Sequence, residues 1–140
     1  MSVEPLIQFF ETLSEGTVAR IPDLYSDDAR FKDPFNDVRG TAAIQLIFTH
    51  MFAQVSEPRF VVGERVVDAG AAVLVWDFHF GVRVWGRVRA QVVHGVSHLR
   101  FAADGKVTCH RDYWDTGEEL YMKLPILGLL MRALRRRLAV

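Results

Sequence analysis

Two stretches of this 140-residue chain hold side chains that could move a proton. The first is Phe31-Lys32-Asp33-Pro34-Phe35, a carboxylate among aromatic neighbours. A carboxylate in apolar surroundings is poorly solvated, its pKa drifts upward, and it becomes a usable general base near neutral pH. Asp-Pro is also a common way to open a turn, with the carboxylate bonded to nearby backbone. The second stretch is Val107 to Asp115, where strand alternation puts His110, Asp112 and Trp114 on one face and Cys109, Arg111 and Tyr113 on the other. A carboxylate and an imidazole side by side make an acid–base set. They equally suit a structural role, with Asp112 paired to an arginine and His110 a satisfied, partly buried histidine.

Composition narrows the chemistry further. With 17 basic and 17 acidic residues the formal net charge is zero, so nucleic acid is not an expected partner. Cys109 is the single cysteine, which excludes an internal disulfide and a thiolate cluster. No metal-ligand spacing such as His-Glu-x-x-His occurs, and neither metal nor cofactor is expected. Without a basic n-region, an apolar h-region or a bilayer-length apolar run, the expected location is cytoplasmic.

The elements that must position these residues change character along the chain. Val3, Leu6, Ile7, Phe10 and Leu13 recur at helical spacing from Ser2 to Leu13, with Ser2 able to cap. A second short helix runs from Thr17 through Tyr25, the Ser26-Asp27-Asp28 cluster breaks the chain, and a short strand spans Ala29 to Lys32. Thr41 opens a third helix, Ala43 to Gln54, with Ile44, Ile47, Phe48, Met51 and Phe52 in one stripe. From Arg59 the period becomes two, which predicts strands at Arg59–Val67, Ala72–Val84, Arg87–Phe101 and Lys106–Asp115, joined by glycine turns. Helical stretches follow at Glu118 to Lys123 and from Pro125 to about Arg137. Helices first and a strand meander afterwards indicate an α+β domain over residues 1–140, with 117–140 as a helical C-terminal extension. Strands this long in a small sheet must coil into a cone whose hollow the helices cover.

The segment from Tyr25 to Phe35, followed by Gly40-Thr41-Ala42-Ala43-Ile44, resembles the ketosteroid isomerase branch of the nuclear transport factor 2-like superfamily, which includes the SnoaL-type cyclases. His98 to Val107 is similar to that family's hairpin, and Tyr113-Trp114 to the end of its last strand. The resemblance implies that Asp33 is the general base, that Trp114 lines the pocket, and that His110 and Asp112 point inward with it. The isomerases hold the enolate oxygen with a tyrosine and a protonated aspartic acid. Those positions fall here on Phe9 and Ser97. Phenylalanine donates no hydrogen bond and serine only a weak one, so steroid isomerisation by that route is not expected.

The expected catalytic set is therefore Asp33, His110 and Asp112, in a ligand pocket of Phe9, Phe31, Phe48, Trp76, Phe78, Ser97 and Trp114. Leu74, Trp76, Phe78 and Phe80 form the apolar face of one strand, a wall for a small hydrophobic ligand. His79, His94 and His98 fall on the convex face, which pairs two subunits in the resembled superfamily, so a homodimer is expected. Two functions compete: proton transfer without a cofactor (isomerase, cyclase or hydrolase), and binding of a hydrophobic ligand without chemistry. A third is association through the C-terminal segment, where an apolar stripe lies beside Arg132, Arg135, Arg136 and Arg137. Contact with an anionic membrane is weighed there against a helix packed on the domain, and packing is favoured.

Overall fold

The computed structural model describes residues 2–119 and 125–139. Helix α1 spans Glu4–Glu11, with Pro5 in its first turn and the Ser2 Oγ accepting the Glu4 N–H at 3.3 Å. Its buried face is Leu6, Ile7, Phe9 and Phe10. The predicted second helix is a 3₁₀ turn at Val18–Arg20 followed by α2, Ile21–Leu24. Helix α3 covers Thr41–Gln54, starting from Gly40 at φ 92°, a left-handed backbone that glycine adopts without strain. Ile44 and Phe48 of α3 are buried, and Ile47, Met51 and Phe52 pack partly against the core.

The strands are β1 (Tyr25–Lys32), β2 (Asp37–Arg39), β3 (Ser56–Asp68), β4 (Ala71–Val84), β5 (Arg87–Phe101) and β6 (Val107–Tyr113). They form one sheet in the order β2-β1-β6-β5-β4-β3, with β1/β6 the single parallel pair. Two expectations need correction. Strand β1 begins at Tyr25, because pairing with β6 overrides the polar Ser26-Asp27-Asp28 cluster and a register shift between Tyr25 and Arg30 absorbs it. Strand β2, three residues long, is too short to show a period and was not expected.

Alternation along the long strands decides what faces the hollow. Phe60 and Val62 of β3, Leu74, Trp76, Phe78 and Phe80 of β4, and Val93, Ser97 and Leu99 of β5 lie on the helix-covered side. Trp76 fits there because Gly95 stands opposite it, where a Cβ would come within 2.3 Å of the indole. The convex side carries Asp77, His79, His94 and His98, with His94 Nδ1 at 2.6 Å from Asp77 Oδ1. Sheet and helices close on one core, in which each fully buried side chain such as Ile44 or Leu99 contributes about 1.5–3 kcal/mol.

The C-terminal segment is described in part. Helix α4 spans Thr116–Glu119 and α5 spans Pro125–Leu138, and most of the predicted Glu118–Lys123 helix lies outside the described residues. Leu129, Leu130, Leu134 and Leu138 of α5 are exposed.

Candidate functional site

A cavity of about 610 Å³ occupies the hollow between α3 and the concave face of the sheet. Its wall is mostly apolar: Phe31, Ile47, Phe48, Met51, Phe60, Trp76, Phe78, Phe80 and Trp114 all contribute. Phe60, Phe78 and Phe80 form a stacked ladder, with ring centroids 4.5 and 5.0 Å apart. Asp33 and Asp112 are the two carboxylates on this wall among the described residues, and both also border a second cleft of about 530 Å³ beyond Trp114.

Asp33 sits at the end of β1, where the chain turns toward β2. Its Oδ1 accepts the Phe35 N–H at 2.8 Å, the Asn36 N–H at 2.6 Å and Asn36 Nδ2 at 3.1 Å. Among the described residues its Oδ2 accepts only Asn36 Nδ2, also at 3.1 Å. Both readings of Asp-Pro thus coexist. One oxygen builds the turn, and the carboxylate still lines the cavity.

Asp112 is held differently. The β5/β6 register sets Ser97 directly opposite it and Leu99 opposite His110, so all three polar side chains converge inside the hollow. His110 Nε2 lies 2.7 Å from Asp112 Oδ1, and the Ser97 hydroxyl donates to the same oxygen at 2.5 Å. Trp76 Nε1 donates to Ser97 Oγ at 2.8 Å. At the other end the Tyr25 hydroxyl meets His110 Nδ1 at 2.7 Å. Neither Tyr25 nor this chain of five was expected as a unit. Its members come from β1, β4, β5 and β6, and only the ladder brings them together.

Counting protons along the chain assigns its directions. Tyr25 is fully buried, and burial pushes its phenol well above the ordinary range, with the Asp112 charge adding to the shift. It therefore keeps its proton and donates it to His110 Nδ1, since no other acceptor lies within reach among the described residues. His110 must then carry its hydrogen on Nε2 and donate to Asp112 Oδ1. With both nitrogens used, only 2% of the residue exposed, and Phe10 and Phe31 against its ring, the imidazole orients Asp112. Asp112 Oδ1 accepts two hydrogen bonds, so any proton that Asp112 carries sits on Oδ2. That oxygen has no partner among the described residues, and the side chain, 16% exposed, borders the cavity.

The expected pocket residues divide accordingly. Phe31, Phe48, Trp76, Phe78 and Trp114 line the main cavity, and Ser97 borders a small void of about 20 Å³ beneath it. Phe9 is the exception: it is 3% exposed, packs edge-on to Phe10 in the core, and lines none of these cavities. Phe10, the next residue on α1, reaches the void in its place. Sequence reasoning also left out Phe60, which β3 periodicity alone would have placed on the inner face. No group of three or more His, Cys, Asp or Glu among the described residues is placed to hold a metal ion.

A strongly curved, mostly antiparallel sheet covered by helices defines a cone-shaped α+β fold. A model of the SnoaL-like domain matches residues 6–110, and the chain belongs to that family, within the nuclear transport factor 2-like superfamily. It is 32% identical over 114 residues to the Steroid Delta-isomerase of Nocardioides simplex, spanning 79% of this chain and 87% of that one. Among solved structures it is similar to a protein of Shewanella putrefaciens taken to be a SnoaL-like polyketide cyclase (TM-score 0.69, 19% identity, 88% and 99% of the two chains). It is also similar to a Catenulispora acidiphila protein with a ketosteroid isomerase-like fold, solved with trimethylamine (TM-score 0.67, 14% identity, 84% and 88%). At these identities the solved structures speak for the fold alone.

Proposed function

We propose that this SnoaL-like protein catalyses proton transfer on a small hydrophobic carbonyl compound, with Asp33 and Asp112 as the proton-handling pair. The observation that carries this reading is that both carboxylates border one apolar cavity, and that Asp112 has one oxygen pinned and an Oδ2 with no partner among the described residues. Asp33, whose Oδ2 has a single contact, takes a proton from the carbon beside the carbonyl. In its protonated form Asp112 hydrogen-bonds the carbonyl oxygen through Oδ2 as negative charge develops there, and keeps that proton throughout. Asp33 then returns its proton to the same or a conjugated carbon, so the step is neutral overall and needs no co-reactant. Asp112 in this scheme replaces the enolate-holding carboxyl whose expected position is Ser97. The carboxyl comes from the neighbouring strand, one register partner away.

Exchange of solvent deuterium into a panel of apolar cyclic ketones tests the proposal without knowledge of the true substrate. Wild-type protein is expected to catalyse exchange next to the carbonyl, and Asp33→Asn and Asp112→Asn to lower it by about 10²–10⁴-fold while apolar ligands still bind. Wild-type exchange rates in Asp33→Asn would end the base assignment. Ligand binding with no exchange from any ketone would favour the second reading, a binding protein, which the turn-tied Oδ1 of Asp33 supports. For assembly we propose a homodimer through the convex sheet face, a reading supported by exposed Val61, Val66, Val92 and Tyr113 there.

A further inference from the structure

The β4–β5 hairpin continues beyond the sheet. Strand β3 pairs with β4 only as far as Gly81, and β6 reaches β5 only at Val96, so residues 82–89 stand as a two-stranded ribbon with no third strand beside it among the described residues. Such a ribbon buries little and is at best marginal in water by itself. Every residue from Arg83 to Ala90 is exposed. The composition is also unusual: Arg83, Arg87 and Arg89 alternate with Val82, Val84 and Val88, and no acidic residue occurs between Asp77 and Asp104. Because Arg83 pairs with Val88 and Val84 with Arg87, each face of the ribbon shows both an arginine and a valine. Neither face is therefore built to lie on this chain's own core.

At the tip stands Trp85, 98% exposed and at φ 53°, followed by Gly86 at φ 73°. Two positive φ values make a type I′ turn, whose first position favours asparagine, aspartate or glycine and penalises a bulky side chain. Folding alone gives no reason for an indole there, held in a strained backbone and wholly in water. A contact outside the chain does.

We infer that the ribbon 82–89 docks on an anionic phospholipid surface, with Trp85 and the valines at the headgroup–acyl boundary and the three arginines on lipid phosphates. Charge argues for this occupant. The ribbon and α5 together hold seven of the 17 cationic side chains (Arg83, Arg87, Arg89, Arg132, Arg135, Arg136, Arg137) and none of the 17 acidic ones, which leaves ten against 17 on the rest. An acidic body with two exposed segments that carry arginines and no acidic residue presents those segments to a negative surface. Indole at an interface and arginine on phosphate are each favoured pairings. Helix α5, with its exposed leucines, supplies the second contact that lasting surface attachment takes. No helix among the described residues is long and apolar enough to cross a membrane, so the attachment is to the surface.

Vesicle co-sedimentation of the full chain tests this, with phosphatidylcholine alone and phosphatidylcholine containing phosphatidylserine. Binding is expected to the anionic vesicles only and to weaken in high salt. Arg87→Gln with Arg89→Gln should weaken it about thirtyfold, at roughly fivefold per arginine. Trp85→Asn, which suits the turn better, should raise the melting temperature yet reduce partitioning roughly tenfold. That combination separates a docking role from a folding defect. Equal binding to neutral vesicles, no binding at all, or unchanged binding by both variants would overturn the inference. So would a lipid-free oligomer that Trp85→Asn dissociates, which would assign the tip to a second copy of the chain.

Discussion

Replacing Asp112 by leucine and by asparagine should have very different costs, because two buried donors converge on its one bonded oxygen. Asp112 Oδ1 takes hydrogen bonds from His110 Nε2 and from the Ser97 hydroxyl, on residues 2% and 5% exposed. In Asp112→Asn the amide oxygen can occupy the Oδ1 position and accept both, with the NH₂ in the cavity. What is lost is the difference between charge-assisted and neutral hydrogen bonds, at most about 2 kcal/mol over the two, partly offset because no charge is buried. In Asp112→Leu both donors lose their acceptor where water is scarce, which costs roughly 1–3 kcal/mol each and so about 2–6 kcal/mol in total. Urea unfolding followed by far-UV circular dichroism reads this directly, as a midpoint roughly 1–3 M lower for the leucine variant. A double-mutant cycle sharpens it: with Ser97→Ala one stranded donor is gone, so leucine should cost less there by at least about 0.5 kcal/mol. Equal stability of the leucine and asparagine variants, or the same leucine cost in both backgrounds, would refute the proton assignment of the network.

The remaining predictions probe the same walls. Gly95→Ala puts a methyl within 2.3 Å of the Trp76 ring, so the indole must swing off Ser97 into the cavity. A loss of about 1–3 kcal/mol and a red-shifted tryptophan emission are expected, and unchanged stability would contradict that packing. Phe78→Ala removes the middle ring of the aromatic ladder and should weaken binding of an apolar fluorescent probe by about 1–3 kcal/mol, measured by titration. Tyr25 governs the alkaline limb of stability. Its folded-state pKa lies above the ordinary value, so its contribution is intact below about pH 10 and is lost as the unfolded phenol ionises, by up to about 1.4 kcal/mol per pH unit. Tyr25→Phe should be less stable at neutral pH yet show a shallower loss in urea titrations from pH 8 to 11.5.

Much of the architecture was legible because it is periodic. The stripe of α3 and the alternation from Arg59 to Phe101 each repeat often enough to outweigh local exceptions, and the observed elements match them within a few residues. Strand β1 was half legible. Its polar start, Ser26-Asp27-Asp28, has turn composition and becomes a strand only because β6, some 80 residues later, pairs with it. The inward direction of Asp112 and His110 followed from alternation once Trp114 marked the pocket face. Their partners did not: Tyr25 is 85 positions from His110, and nothing in its local sequence distinguishes it from a core tyrosine.

That difference bears on how chemistry at this site should be assigned. Alternation alone gave His110 and Asp112 the same standing as catalytic candidates. The hydrogen bonds separate them: the imidazole spends both nitrogens inside the protein, while the carboxyl, which borders the cavity, spends one oxygen and has no partner for the other among the described residues. A histidine so placed cannot shuttle a proton to a ligand without stranding the buried Tyr25 hydroxyl or Asp112 Oδ1, and either cost opposes the transfer. Phe9 shows the converse. Its place in the resemblance made it a pocket residue, yet a rotation of one residue along α1 delivers Phe10 to the void and leaves Phe9 in the core. Matching a residue to a family position thus locates a backbone site, and the side chain's chemistry still has to be earned by what surrounds it. By that measure Asp33 is held by its own turn, whereas Asp112 is held by side chains that only the pairing of β5 with β6 and the fold around it bring together.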